Sequence, residues 1–455
     1  MAYYYPIIYW NTACLIVDSD GLQEEDDDEV ATIVPDDIDD DDDDDDEEEV
    51  GTKKKTAKAI RYDKISAAIG KMIEAGIKVV PPDINHSNFS FTPDEENDEI
   101  IYGLRGITRI NADIANDIIN NRPYESFEDV IAKVKLQKLH VINLIKSGAL
   151  DSFGKREELM ETYLHEIAGE KKKLTLQNLP TLISRDLIPQ EYDFEKKLFN
   201  FNKFLKKNKD GDYYYLDSYS REFFEKNWDI SNLDKIEGDA AWISQKTWDK
   251  IYKKNIENIR PFINSEAALN SLNNSLYQEV KGKYALGTIS TWEMDSIGFY
   301  YHEHELNSLK MPRIDNFFEL PEEPIIQSSF VTKDGKVIYN YELSRIAGTV
   351  IGKDKLKNIV TLLTQYGVVK VKVYRSQFAK YDKQVADRDE ESGKKHILER
   401  SWFQRGNKLI MSVIRRGDFA IPKVYKSTPY PVIQLIDNIN YDTGTFITKD
   451  DRLSV

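Results

Sequence analysis

The sequence predicts a multidomain α+β protein: a helical N-terminal part with a tandem helix-hairpin-helix, a mixed connector, and a C-terminal OB-like β-barrel. Three observations carry this. Between Ile100 and Gly154, apolar residues return at helical spacing in short runs broken by tight turns. From Ser344 onward the apolar period shortens to two, with glycines between the runs. A length of 455 residues is enough for two to four domains, each with its own core.

Composition narrows the class. Hydrophobic residues make up 40% and charged residues 31%, and no apolar run approaches the roughly 20 residues of a membrane span, so no membrane partner is expected. Met1 leads directly into AYYYPIIYWNTACLIV, without the basic start of a secretory signal. The single Cys14 excludes an internal disulfide and a cysteine-built zinc site. A reducing, cytoplasmic location is the expectation. The net charge of −17 comes from one place: Leu22 to Val50 holds 19 acidic residues and no basic one, and the remainder carries +2. A near-neutral body is compatible with local basic patches.

In chain order, Ile7, Trp10, Cys14 and Val17 fall on one helical stripe after Pro6, which predicts a short buried helix. The acidic segment from Glu24 to Glu49 cannot bury enough surface to order itself and reads as a solvated loop. A sharper alternative is a DNA-mimicking flap competing for a basic groove, with the Lys53 to Lys58 run beside it as an internal partner. Ile65, Ala68, Ile69, Met72 and Ile73 predict a helix stopping at Ala75-Gly76, followed by a strand, a Pro-Pro stop and a turn. Asp83 and Asn85 lie in that turn, where structural hydrogen bonding is expected before any DNA or nucleotide contact.

Ile107, Ile110, Ile114 and Ile118 form the next helical run, with Asn111 and Asp113 at its capping positions and Arg122-Pro123 beyond its end. Phe127, Val130, Ile131 and Val134, then Val141, Leu144 and Ile145, give a second unit closed by Ser147-Gly148. Such paired hairpins hold DNA without sequence preference, through backbone N–H groups at helix N-termini. Arg105, Gly106, Thr108, Arg109, Ile110 and Asn111 are the candidate duplex contacts.

A helix is expected over Arg156 to Ile167, then a linker from Lys171. Residues 184–285 are rich in aromatics and lysines. Phe194, Leu198, Phe201 and Leu205 have helical spacing, which favours a core with a basic outer face over a stacking surface. Asp210-Gly211-Asp212 reads as a turn into a strand, since a two-metal site needs further converging carboxylates. His302 and His304 alternate with Glu303 and Glu305, but two ligands are not a metal site. In the barrel, Val369, Val371 and Val373 alternate with Lys370, Lys372 and Tyr374, and a helix is expected at Gln377 to Tyr381. Lys370, Lys372, Tyr374, Arg375, Trp402 and Arg405 are candidates for a single-strand face of cations and aromatic platforms. Arg388 to Arg400 reads as a charged loop insert.

Several of these stretches resemble, in the correct order, the bacterial replicative DNA polymerase III alpha subunit. They are YYPIIYWNTACLIVDSD, GIKVVPPDIN, Gly103-Leu104 with Ile107 through Arg122, Phe127 and LIKSGALDSFG, the Gly-Phe-Tyr segment at Gly298, and TLL-x₃-G-x₁₀-F-x₂-Y in the barrel. Two departures stand out: Arg109, Ile110 and Asn111 occupy the family's Gly-hydrophobic-Gly slots, and Glu305 replaces a proline. Arg tolerates a left-handed backbone poorly and Asn moderately well.

The resemblance implies fingers-remnant helix 1–21, acidic insert 22–58, fingers end 59–99, tandem hairpins 100–167, linker 168–183, connector 184–310, linker 311–343, OB-like domain 344–440 and tail 441–455. It places a possible sliding-clamp peptide at Gln177, Leu179 and Leu182. It also implies that the palm carboxylates precede the fingers, so this chain lacks them. The expectation is the DNA-binding part of a split polymerase, inactive alone, with another chain supplying the palm and docking near Tyr5 to Val17. No cofactor is expected in this chain, and Mg only in the assembled enzyme. The alternatives are a stand-alone primer–template or single-strand-binding accessory protein, and an interaction scaffold.

Overall fold

Two units divide the chain: Met1–Met160 together with Leu286–Val455, and Glu161–Ala285. The computed structural model describes residues 6–20, 62–207, 212–388, 395–426 and 428–451. The acidic segment, the Lys53 to Lys58 run, Tyr5 and the Asp210-Gly211 pair lie outside the described residues.

In the first unit, the helix Ile7–Asp20 is present but turned from its expected orientation. Ile8, Thr12 and Leu15 are buried, whereas Ile7, Trp10 and Val17 are 63%, 60% and 49% exposed. IIYWNTACLIV is apolar nearly all round, so spacing alone could not choose the inner face. The helix Tyr62–Glu74 buries Ile65, Ile69 and Met72 and ends before Gly76, whose φ is 77°. A three-stranded sheet follows, with Glu99–Ile101 between Lys78–Val80 and Thr92–Asp94. The hairpin helices are Ala112–Asn120, Phe127–Lys133 and Lys138–Ser147. They bury Ile118, Val130 and Leu144 among others, and Arg156–Ile167 follows.

The barrel is five strands closed in a ring: Ser344–Asp354, Ile359–Thr364, Gly367–Lys372, Phe419–Pro422 and Lys408–Arg416, the last pairing back to the first. Gly367–Lys372 meets Phe419–Pro422 in parallel, while the other four junctions are antiparallel. The helix Arg375–Asp382 sits between the third and fourth strands in sequence. This is the OB order, in which closure removes the sheet edges. Val360, Leu362, Val369, Val371 and Met411 fill it. Ile433–Asn440 and Thr445–Lys449 extend the sheet beyond Lys408–Arg416, so part of the expected tail is strand.

Two stretches expected to be irregular are hairpins. Ile326–Val331 pairs with Val337–Tyr341 inside the expected 311–343 linker. Val385–Arg388 pairs with Lys395–Glu399 across the charged insert. In the first, a TKDG turn between apolar runs is the signal that would have found it.

The second unit carries a four-stranded antiparallel sheet in the order Lys206–Lys207, Tyr213–Leu216, Ala240–Ser244, Lys235–Glu237. Its core collects Leu198, Leu216, Phe224, Ile243 and Trp248, with Phe194, Phe201 and Leu205 packed against it. The Trp248 indole donates to Asn202 at 2.8 Å, satisfying its one polar group in the interior.

Candidate nucleic-acid interface

The first hairpin is set by local rules. Asn111 caps the helix Ala112–Asn120 through a 2.9 Å bond that its side chain accepts from the Ile114 amide. It does this with φ −78°, so the second glycine slot needs no left-handed backbone. The first slot does: Arg109 sits at φ 68° with an exposed side chain. A non-glycine residue there costs on the order of 1 kcal/mol. Ile110 is buried between them. Gly106 faces Tyr102 so closely that a Cβ would lie 2.5 Å from the ring. The Arg105 amide donates to the Phe89 carbonyl at 3.0 Å.

Thr108 faces inward. Its amide donates to the Ser296 carbonyl at 2.8 Å and its hydroxyl to the Asp295 carbonyl at 3.0 Å. The amides of Ala112 and Asp113 take no bond within the helix, as in any first turn. The Asp113 carboxylate on that turn opposes an anion, so the favourable charge at this loop is that of Arg109. The second hairpin loop approaches it. Burial first, and the Arg109 charge second, push His140 below its ordinary value. The His140 Nδ1 accepts from the Gln137 amide at 3.1 Å, capping the helix Lys138–Ser147.

That helix ends at Gly148, whose φ is 84° and whose missing Cβ leaves room for the Arg156 guanidinium. Arg156 pairs with Asp151 at 2.9 Å and with the fully buried Glu293 at 2.8 Å. Glu293 also accepts from the amides of Tyr301 and His302. Charged groups thus fasten the hairpins to the segment leading to the barrel. Asp83 accepts from the amides of Asn85 and His86, and the Asn85 side chain exchanges two 2.9 Å bonds with the Tyr124 backbone. Arg122 donates to the carbonyls of Ile84 and Ser87. These side chains hold the hairpins against the preceding turn.

On the barrel, Lys370, Lys372, Tyr374 and Arg375 are exposed around one strand and its end. Two candidates do not join them. Trp402 is fully buried, its indole packed on Tyr381 and donating to Glu399, so it offers no platform. Arg405 turns away: its guanidinium lies 3.9 Å from the Tyr62 ring centre and donates to the Asp295 carbonyl at 2.8 Å and to Thr108. Residue type suits both to a nucleic-acid face, but it does not reveal direction. Arg405 instead links the barrel to the first hairpin.

The clamp-peptide expectation is also corrected. Leu179 and Leu182 are 1% and 0% exposed in the core of the second unit, on the helix Leu179–Ser184, and only Gln177 is exposed. Pro180 suits this helix because a first-turn residue needs no amide. The two histidines part company. His302 pairs with Glu293 at 2.7 Å, while His304 is buried between the Leu363 carbonyl and the Leu306 amide. Among the described residues no three His, Cys, Asp or Glu side chains are grouped to hold a metal ion. Among them, too, no helix is long and apolar enough to cross a membrane.

Glu305 is a structural centre that its sequence neighbours do not announce. Its buried carboxylate pairs with Lys408 at 3.0 Å and accepts from Tyr300, Tyr441 and Thr291. Burial pushes its pKa up, but Lys408 and the hydroxyl donors outweigh that and hold it below the ordinary range.

A helix-hairpin-helix motif family matches residues 76–159. The chain is 38% identical over 443 residues, 94% of its length, to the probable DNA polymerase YorL of Bacillus subtilis and equally to a DNA-directed DNA polymerase of Bacillus phage SPbeta. It is 31% identical over 195 residues to the DNA polymerase III subunit alpha of Borreliella burgdorferi, 39% of this chain and 17% of that protein. The chain spans 32% of the length of the two Bacillus relatives. The chain is thus similar to DNA polymerases over nearly its whole length and, over a shorter stretch, to bacterial DNA polymerase III alpha subunits, and it carries a hairpin module and a five-stranded barrel.

Proposed function

We propose that this chain is the DNA-holding portion of a polymerase of the alpha-subunit type, with hairpins that grip duplex and a barrel that holds single-stranded template. The observation that carries this reading is the first hairpin: an exposed Arg109, kept at a strained φ of 68°, directly before an open helix N-terminus. It replaces a glycine-and-amide phosphate contact with a charged one. The palm carboxylates and their Mg ions, which the reaction requires, belong in this reading to another polypeptide. The exposed face of Ile7, Trp10 and Val17 supports that arrangement, because an apolar stripe of this kind favours a protein partner. A clamp contact through Leu179 and Leu182 would have to unpack a core, so it forms no part of the proposal.

The test begins with recovering the tagged chain from its native cell. The polypeptide is sized, its partners are identified, and the eluate is assayed for primer extension. Extension that requires a separate palm-bearing chain supports the proposal; a palm on the same polypeptide sinks its split arrangement. Binding of primed DNA without any polymerase partner would make it an accessory protein. A scaffold reading is favoured by Thr108, whose amide is already engaged, and it wins if the chain binds no DNA.

A further inference from the structure

We infer that the single-strand surface does not end at the barrel but continues as a track of alternating cations and rings onto the hairpin Ile326–Val331/Val337–Tyr341. This rests on the reading that the barrel holds single-stranded DNA.

The track starts from strand register. Lys370 is the Cα partner of Phe419, and Phe419 in turn of Arg416. Partners across a sheet share a face, and Lys370 and Arg416 are exposed while Val369 and Val371 are buried, so the row lies outside the barrel. From Arg416 it passes to Tyr341, whose ring centre is 5.8 Å from the guanidinium and 4.6 Å from the Lys423 ammonium. Lys423 also lies 5.4 Å from Tyr425, whose hydroxyl accepts from the Tyr341 amide. Tyr339 follows at 6.5 Å from Tyr341 and leads out along the hairpin.

The hairpin itself is unusual. Phe330, Val331 and Tyr339 are 51%, 65% and 42% exposed, and register puts Phe330 with Ile338 but Val331 with Val337, so both faces of the ribbon are apolar. A two-stranded ribbon with two bare faces is marginal alone and calls for something to cover it.

The chemistry selects the occupant. Bases of a single strand expose π-faces that stack on rings, and its phosphates match cations spaced between those rings. Lys370, Arg416 and Lys423 form no ion pair among the described residues, so their charge is available to phosphate. Lys333 and Lys336 add charge at the hairpin tip, while Asp418 and Glu322 border the row at the Gly417 turn. Duplex DNA keeps its base faces covered and would leave the rings unused.

The test uses the full chain and fluorescein-labelled oligothymidine of 8 and 20 nucleotides, read by anisotropy at several salt concentrations. F330S/Y339S removes one ring from each face of the ribbon, R416Q/K423Q removes two cations, and K372E/Y374S disables the barrel strand as a reference. Expected are at least fivefold weaker binding of the 20-mer by each track variant and little change for the 8-mer. The cation variant should also lose about 1.4 from the salt slope. Melting temperatures should match the wild type, since every altered side chain is at least partly exposed. If K372E/Y374S weakens binding but both track variants hold the 20-mer like the wild type, the track is wrong and the barrel reading stands. If the wild type binds neither oligonucleotide, both fail. Track variants that bind DNA normally but lose a protein partner would make the hairpin a protein-docking arm and overturn the inference.

Discussion

Arg109 concentrates a conflict between backbone and charge. Its left-handed φ of 68° is where glycine fits without cost, yet an exposed guanidinium is kept there. Arg109→Gly should relieve about 1 kcal/mol of backbone strain and so not lower thermal stability. It should weaken binding of a short duplex severalfold and reduce the salt slope by about 1, whereas Arg109→Lys should largely preserve both. Duplex affinity unchanged in Arg109→Gly would show that the charge does not touch DNA. His304 gives a pH prediction. Burial pushes it down to about 4 from an ordinary 6.5, outweighing the Leu363 carbonyl and the Glu305 carboxylate, which favour the protonated ring. The unfolded chain therefore binds this proton first as pH falls. Stability from this group is complete above about 6.5, is lost between there and 4, and amounts to about 3 kcal/mol. Denaturant melts of wild type and His304→Gln at pH 7.5 and 4.5 should show a steeper loss in the wild type. Equal losses would rule His304 out as the cause.

At the level of elements, one departure from the alpha-subunit pattern, Glu305, has become an attachment. Glu305, in place of proline, joins the turn Glu305–Ser308 to the barrel strand Lys408–Arg416 through Lys408. Glu305→Gln strands a buried ammonium and should cost roughly 3–5 kcal/mol in urea unfolding, with partial recovery in Glu305→Gln/Lys408→Met. A loss below about 1 kcal/mol would place the pair effectively in solvent. Leu182→Ala should lower the stability of the second unit by about 2–5 kcal/mol, where a surface clamp ligand would move it by less than about 0.5. These cases mark what was legible. Periodicity located the Tyr62–Glu74 helix, the tandem hairpins and the alternation of Val369, Val371 and Val373 with exposed neighbours, because period follows directly from backbone geometry. Direction was not legible. Trp402, Arg405 and Leu179 have the residue types of contact surfaces, but tertiary packing turned them inward, and an all-round apolar first helix gave no inner face to choose. Glu305 was visible as a departure, while its partners lie up to 136 residues away.

Across the whole molecule, charge is divided in an unusual way. The segment from Leu22 to Val50 carries −19 of a net −17, and everything else sums to +2. If that polyanion reaches the DNA-binding surfaces of its own chain, it competes with DNA as a tethered ligand whose effective concentration is high at any protein dilution. In that case it would also add long-range repulsion to an approaching DNA strand, an effect that falls off within a Debye length of about 10 Å at 0.1 M salt. Deleting residues 22–50 should therefore raise affinity for primed DNA severalfold at 50 mM salt, mainly through faster association, and the gain should vanish near 0.5 M. Replacing the same residues with a neutral Gly/Ser stretch of equal length separates charge from chain length. If that replacement binds like the deletion, the acidic charge is the regulator. If only the deletion gains affinity, the segment acts by its bulk, and if neither does, it is a solvated loop that leaves the DNA surfaces untouched.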